Sequence, residues 1–211
     1  TQTITLSDNE DAYYFKSDYS DPADLINAEI GLNTRAEAEG AVVLKGTPKI
    51  EGTNVSVFGM RSEKMQYGGS MGALIETSQS VRLVDALGEN GFSVNQELVS
   101  FYEEKASEYA PVKSSGGNCV DTNEGTTINE VPVKEYMSLS SETMAQYSDA
   151  AIVVFGRDAG ESACFYPGKE GTADETEFSN SPTGNILSLS NDERALLNYV
   201  KNQGFGKIIV L

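Results

Sequence analysis

An apolar run, Ala150 to Phe155, stops at Gly156-Arg157-Asp158-Ala159-Gly160-Glu161, so three charged side chains stand within five residues of one another. A carboxylate such as Glu161 can give up or take a proton, which makes it a candidate general acid or base. A glutamate on a loop is most often a solvated charge. Its place behind Gly160, just past a fully apolar strand, is what raises Glu161 above that reading. Chemistry that needs a pair of carboxylates finds no evident second member, because Asp158 stands too near along the chain to be chosen.

The rest of the composition narrows the chemistry further. There is no histidine, and Cys119 and Cys164 are the only cysteines. Ser-His and Cys-His catalysis and nearly every zinc site are thereby excluded. Polar chemistry is left to carboxylates, Tyr, Lys and Arg. The acids Asp8, Glu10 and Asp11 lack the Gly-containing spacing of a calcium loop, so no metal site is expected. The two cysteines lie in polar segments and read as unrelated thiols, although an oxidising compartment would leave pairing open.

With 32 acidic and 15 basic side chains the formal charge is -17, which repels phosphate backbones and anionic lipid. Nucleic acid is therefore not an expected partner. No apolar run approaches the ~18 residues of a membrane-spanning segment. The loop Gly68-Gly69-Ser70-Met71-Gly72 lacks both the Lys-Ser/Thr ending of a phosphate loop and the G-x-G-x-x-G spacing. A tight turn allowing close backbone approach is the better reading than nucleotide binding.

The elements that must position these residues alternate along the chain. Residues 1–22 read as an arm, with a short alternating strand (1–6) and then an acidic, Tyr-rich segment. Asp21 caps a helix with Pro22 in its first position, and Leu25, Ala28, Leu32 and Ala36 carry it to near Gly40. Strands are expected at 41–45, 54–59, 150–155 and 207–211, with a short one at 92–94. Helices are expected near 24–39, 80–89 and 191–202, the last opened by a Ser190/Glu193 capping box. Asn95 caps a further helix through Leu98, Tyr102 and Tyr109. Residues 111–131 form a polar, Gly-rich excursion, and 167–183 form another polar segment.

This alternation predicts an α/β fold over residues 23–211. Its four longer strands should be neighbours in one largely parallel sheet, with helices on both faces. Ending in an apparent core strand, the sheet is expected to be incomplete at its C-terminal end.

In this order, EAEGAVVLKG, NVSVFG, YGGSMGA, RLVDALGENGFSVNQELVSFYEE, DAAIVVFGRDAGES and NILSLSNDERALLNYVK with KIIVL resemble landmarks of a known domain. It is the second, α/β sandwich domain of glycoside hydrolase family three, the β-glucosidase and β-xylosidase type, and the resemblance runs from about residue 28 to 211. It implies a retaining enzyme whose barrel domain supplies a nucleophilic aspartate and most sugar contacts. The sandwich domain lends the acid/base glutamate, and Glu161 is the matching residue.

Arg157 and Asp158 are then the candidates for binding substrate. A carbohydrate substrate and the barrel domain are the implied partners, and no cofactor is implied. Ser162 stands where the family usually has Gly, and Met71 where its Gly-rich loop has Gly. The rival readings are a non-catalytic carbohydrate-binding or scaffolding domain of the same fold and a nucleotide-binding module.

Overall fold

The computed structural model describes residues 18–65, 67, 80–111, 113–114, 125–126, 128–157 and 188–211. The expected strand at 1–6 and the acids Asp8, Glu10 and Asp11 lie outside them. The chain divides into two compact units, Thr1–Pro48 and Lys49–Leu211.

The first unit holds helix α1 (Pro22–Gly40), which starts as expected: the Asp21 carboxylate accepts the Ala23 N–H at 2.8 Å, with Pro22 in the first turn. Its expected burial is not found, since no residue of α1 is buried. Leu25 and Leu32 fall on one side of the helix and Ile26 and Ile30 on another, so no single apolar stripe forms. All four are exposed.

The expected strand at 41–45 is also corrected. That stretch has no regular structure, and Leu44 is 93% exposed. A run of apolar residues becomes a strand only where a neighbour offers a ladder.

The second unit comprises, in chain order, β1 (Asn54–Phe58), α2 (Met60–Glu63), α3 (Leu83–Glu89), β2 (Ser93–Val94) and α4 (Gln96–Tyr109). There follow β3 (Lys113–Ser114), β4 (Gly125–Thr126), a 3-10 helix (Val133–Ser138), α5 (Ser141–Gln146), β5 (Ala150–Val153), α6 (Asn191–Lys201) and β6 (Ile208–Val210). Four strands form one sheet in the order β2-β1-β5-β6, and every pairing is parallel. The short strands β3 and β4 pair antiparallel as a separate ribbon. The α/β class and three of the four expected neighbours are therefore found, and the two-residue β2 stands on the other flank of β1.

Strand periodicity sorts the core onto two faces. Val55 and Val57 of β1 join Ala150 and Ile152 of β5 on one face, against half-buried Leu83, Val84 and Leu87 of α3. Phe58, Ala151 and Val153 point the other way, into Leu98, Phe101 and Tyr102 of α4, Tyr136, and Leu196 and Val200 of α6. Each fully buried Val, Leu, Ile or Phe among them contributes about 1.5–3 kcal/mol on leaving water.

Local signals start the helices. Asn95 accepts the Leu98 N–H at 3.2 Å, and Ser140 accepts that of Thr143 at 3.3 Å. Asp149 ties the starts of β1 and β5 together by accepting the N–H groups of Thr53 and Asn54 at 3.0 and 2.9 Å. The expected polar excursion is shorter than 111–131, because Ile128, Glu130 and Val131 are buried.

Candidate functional site

The carboxyl ends of β1 and β5 lie side by side: Phe58 pairs with Val153, and the Val154 N–H donates to the Phe58 carbonyl at 2.9 Å. What leaves these two ends makes the candidate site. At β1, Gly59 adopts φ +99°, and a Cβ there would run into the Val154 carbonyl oxygen. The turn delivers Met60, Arg61 and Ser62 into buried positions. At β5, a Cβ on Gly156 would meet the Arg61 Cγ at 3.1 Å, so the stem of Arg61 lies directly on this glycine.

Beneath the turn runs a layer of buried polar groups. The Gly59 N–H donates to the Tyr102 hydroxyl at 2.6 Å, and that hydroxyl shares a short hydrogen bond with the Tyr136 hydroxyl. The Met60 N–H reaches both Glu130 carboxyl oxygens at 3.0 and 3.2 Å, and the Val131 N–H donates to Oε1 at 2.8 Å. Burial pushes the Glu130 carboxyl up from its ordinary 4.5 to about 8, against the pull of those two N–H groups, with Glu193 and Asp192 adding to the rise. Removal from water also holds the Tyr102 and Tyr136 hydroxyls well above the usual phenol range. Glu130 thus carries a proton at neutral pH. Only 6% exposed, it is placed to hold the turn and not to meet a ligand.

Arg157, the first charged residue past β5, is engaged on every side. Its Nη1 donates to Glu193 Oε1 at 2.7 Å and to the Gly156 carbonyl at 3.1 Å. Its Nη2 donates to Glu193 Oε2 at 2.7 Å and to the Ser188 carbonyl at 2.9 Å. Glu193 in turn belongs to the capping box of α6: Oε2 accepts the Ser190 N–H at 2.7 Å, and the Ser190 hydroxyl accepts the Glu193 N–H at 3.2 Å.

A second tie joins residues on either side of 68–79. Arg82 pairs with Glu63 at 2.8 Å and with Glu103 at 3.2 Å, and the Tyr67 hydroxyl donates to the Val81 carbonyl at 3.0 Å.

Of the residues singled out from sequence, Arg157 stands at the end of β5. Asp158, Glu161, the glycines 68–72, Cys119 and Cys164 lie outside the described residues. Among the described residues no cluster of three or more His, Cys, Asp or Glu side chains could hold a metal ion, and no helix is long and apolar enough to cross a membrane. Sequence reasoning missed Glu130, which sits in a stretch read as polar. It also read Glu193 as a helix cap alone, although its N3 position aims the carboxylate back toward whatever precedes the helix.

No family model matches the chain, and no curated protein matches it at a significant level. Solved structures do match. A β-glucosidase from Paenibacillus barengoltzii is 29% identical with a TM-score of 0.53, covering 83% of this chain. The chain is similar to part of a β-glucosidase. β-Glucosidase 3B from Thermotoga neapolitana, in complex with glucose, aligns over 88% of the chain at 19% identity and a TM-score of 0.57. Its complex with α-D-glucose aligns over 87% at 19% identity and a TM-score of 0.56.

At that identity the Thermotoga structures speak for the fold alone. The resemblance drawn from the sequence is thus met in solved β-glucosidases, and the fold is that of a glycoside-hydrolase-like α/β domain. The chain spans 17% of the Paenibacillus protein's length and 24% of the Thermotoga protein's.

Proposed function

We propose that this chain is part of the α/β sandwich domain of a retaining β-glycosidase, in which Glu161 is the acid/base and a barrel domain of the same protein supplies the nucleophilic aspartate. The observation that carries this reading is the 29% identity to a β-glucosidase over 83% of the chain. The strand exits support it. In open α/β sheets ligands gather at the carboxyl ends of strands, and Glu161 is four residues beyond Arg157 at the end of central β5.

In the reaction, the aspartate attacks the anomeric carbon while the Glu161 carboxylic acid protonates the departing glycosidic oxygen. The resulting glycosyl ester is then hydrolysed by a water whose proton passes to the Glu161 carboxylate, which restores both groups. The two carboxyls of a retaining pair stand about 5–5.5 Å apart. Asp158, three residues before Glu161, is the candidate contact to a sugar hydroxyl.

The test is leaving-group dependence in the full-length protein. Glu161→Gln should lower kcat/KM for an alkyl β-glucoside by about 10²- to 10⁴-fold, the range of general acid assistance, and that for a dinitrophenyl β-glucoside far less, since kcat/KM reports the first step and not the base-assisted hydrolysis. Glu170→Gln and Glu175→Gln should leave that dependence unchanged. Equal losses on both substrates would withdraw the assignment, and a full-length protein without turnover would favour a binding domain that lacks the chemistry.

A further inference from the structure

We infer that Arg157 is a positioning residue: with Glu193 it ties the exit of β5 to the start of α6, fixing against one another Arg157 and Ser188, the residues on either side of 158–187. The geometry is a two-pronged pairing of guanidinium and carboxylate, both contacts 2.7 Å long, which sets direction as well as distance. Glu193 is already immobilised by its capping box and its side chain is 3% exposed, so little further side-chain freedom is lost when Arg157 engages it.

The same guanidinium binds a carbonyl on each side of the gap, Gly156 before it and Ser188 after it. All four N–H bonds of its terminal nitrogens thereby have acceptors within the chain. Turning them toward a sugar would strand a buried carboxylate, which is strongly unfavourable. Glu161 is four residues further along. An extended chain advances at most ~3.6 Å per residue, so its Cα stays within about 14 Å of Arg157. Anchoring Arg157 therefore fixes the near end of the four-residue span that carries Glu161.

The catalytic half of this inference rests on Glu161 being the acid/base; the anchoring half does not. Two conservative changes break the pairing while leaving the helix start intact. Arg157→Lys keeps the charge without the fork, and Glu193→Gln keeps an acceptor that serves a capping box equally well. In the full-length protein, each should lower kcat on an alkyl β-glucoside by about 10- to 100-fold, the cost of an ångström-scale misplacement. KM for the alkyl β-glucoside should stay within about twofold, and a dinitrophenyl β-glucoside should lose less than about threefold in kcat/KM, which reports the first step and not the base-assisted hydrolysis. The double variant should be no worse than the worse single one, as for two ends of one contact.

A rise in KM with unchanged kcat on both substrates would make Arg157 a sugar contact and overturn the inference. So would losses that multiply in the double variant. Should Glu161→Gln itself leave leaving-group dependence unaltered, the acid/base reading fails. The anchor is then read from urea unfolding midpoints of the 211-residue chain. Shifts that do not add in the double variant uphold it, and additive shifts refute it.

Discussion

Glu130 keeps its proton because water cannot reach it, although two backbone N–H groups point at its oxygens and favour the charged form. The consequence for stability has a definite sign. In the unfolded chain the carboxyl ionises near 4.5, and in the folded chain at about 8. Between those values the folded state holds the extra proton. The group's contribution is complete below 4.5 and is lost as pH rises through about 8. Glu130→Gln cannot titrate and should remove this dependence. Relative to the variant, the parent chain should lose about 1.4 kcal/mol per pH unit across that window. Urea unfolding at several pH values would read it, and a constant difference between the two proteins would show that Glu130 is ionised throughout. No pattern in Ile128-Asn129-Glu130-Val131 announces a buried acid, because the burial comes from Met60 and the tyrosines, which are distant in sequence.

Helix starts and three of the strand neighbours were legible while the expected strand at 41–45 is not found, and the difference lies in how far the deciding contacts reach. Asp21, Asn95 and Ser190 accept N–H groups two or three residues away, so their chemistry is visible in a short window. Residues 41–45 have strand-like composition, but a ladder needs a neighbour, which a short window of sequence does not show. The exit of β1 shows a similar long-range demand. Gly91, closing α3, has φ +86° with open space around its Cα, whereas Gly59 combines φ +99° with the Val154 carbonyl. Gly91→Ala should therefore cost about 1 kcal/mol of backbone strain alone. Gly59→Ala should cost about 2–4 kcal/mol, since β1 and β5 must also part. Equal costs in denaturant unfolding would mean that the two strand ends are not held as closely as the sheet register implies.

Across the molecule, the alternation of strands and helices carried the parallel sheet, since parallel neighbours require a crossover and helices supply it. α1 has the N-terminal cap of a packed helix but no single apolar stripe, and no residue of it is buried. At the site, the apolar run ending in Gly156-Arg157 marked where to look, because a buried strand ends in charge only where the chain emerges. The pairing of Arg157 was less visible, because only the fold brings Glu193 to it across 36 positions.

The sheet order leaves the outer flank of β6 without a neighbouring strand among the described residues, and Val210 on it is 51% exposed. Such a flank is a template on which a second copy can add its own strand. Opposing this is the net charge of -17, which drives copies apart as long as counterions do not mask it. Colloidal behaviour should then follow ionic strength, since the screening length falls from about 10 Å at 0.1 M salt to about 3 Å at 1 M. Sedimentation should find monomers in dilute buffer and growing assemblies in concentrated sodium chloride. Val210→Lys should suppress that growth by placing a charge where the incoming strand would lie, and assembly indifferent to this change would locate the sticky surface elsewhere.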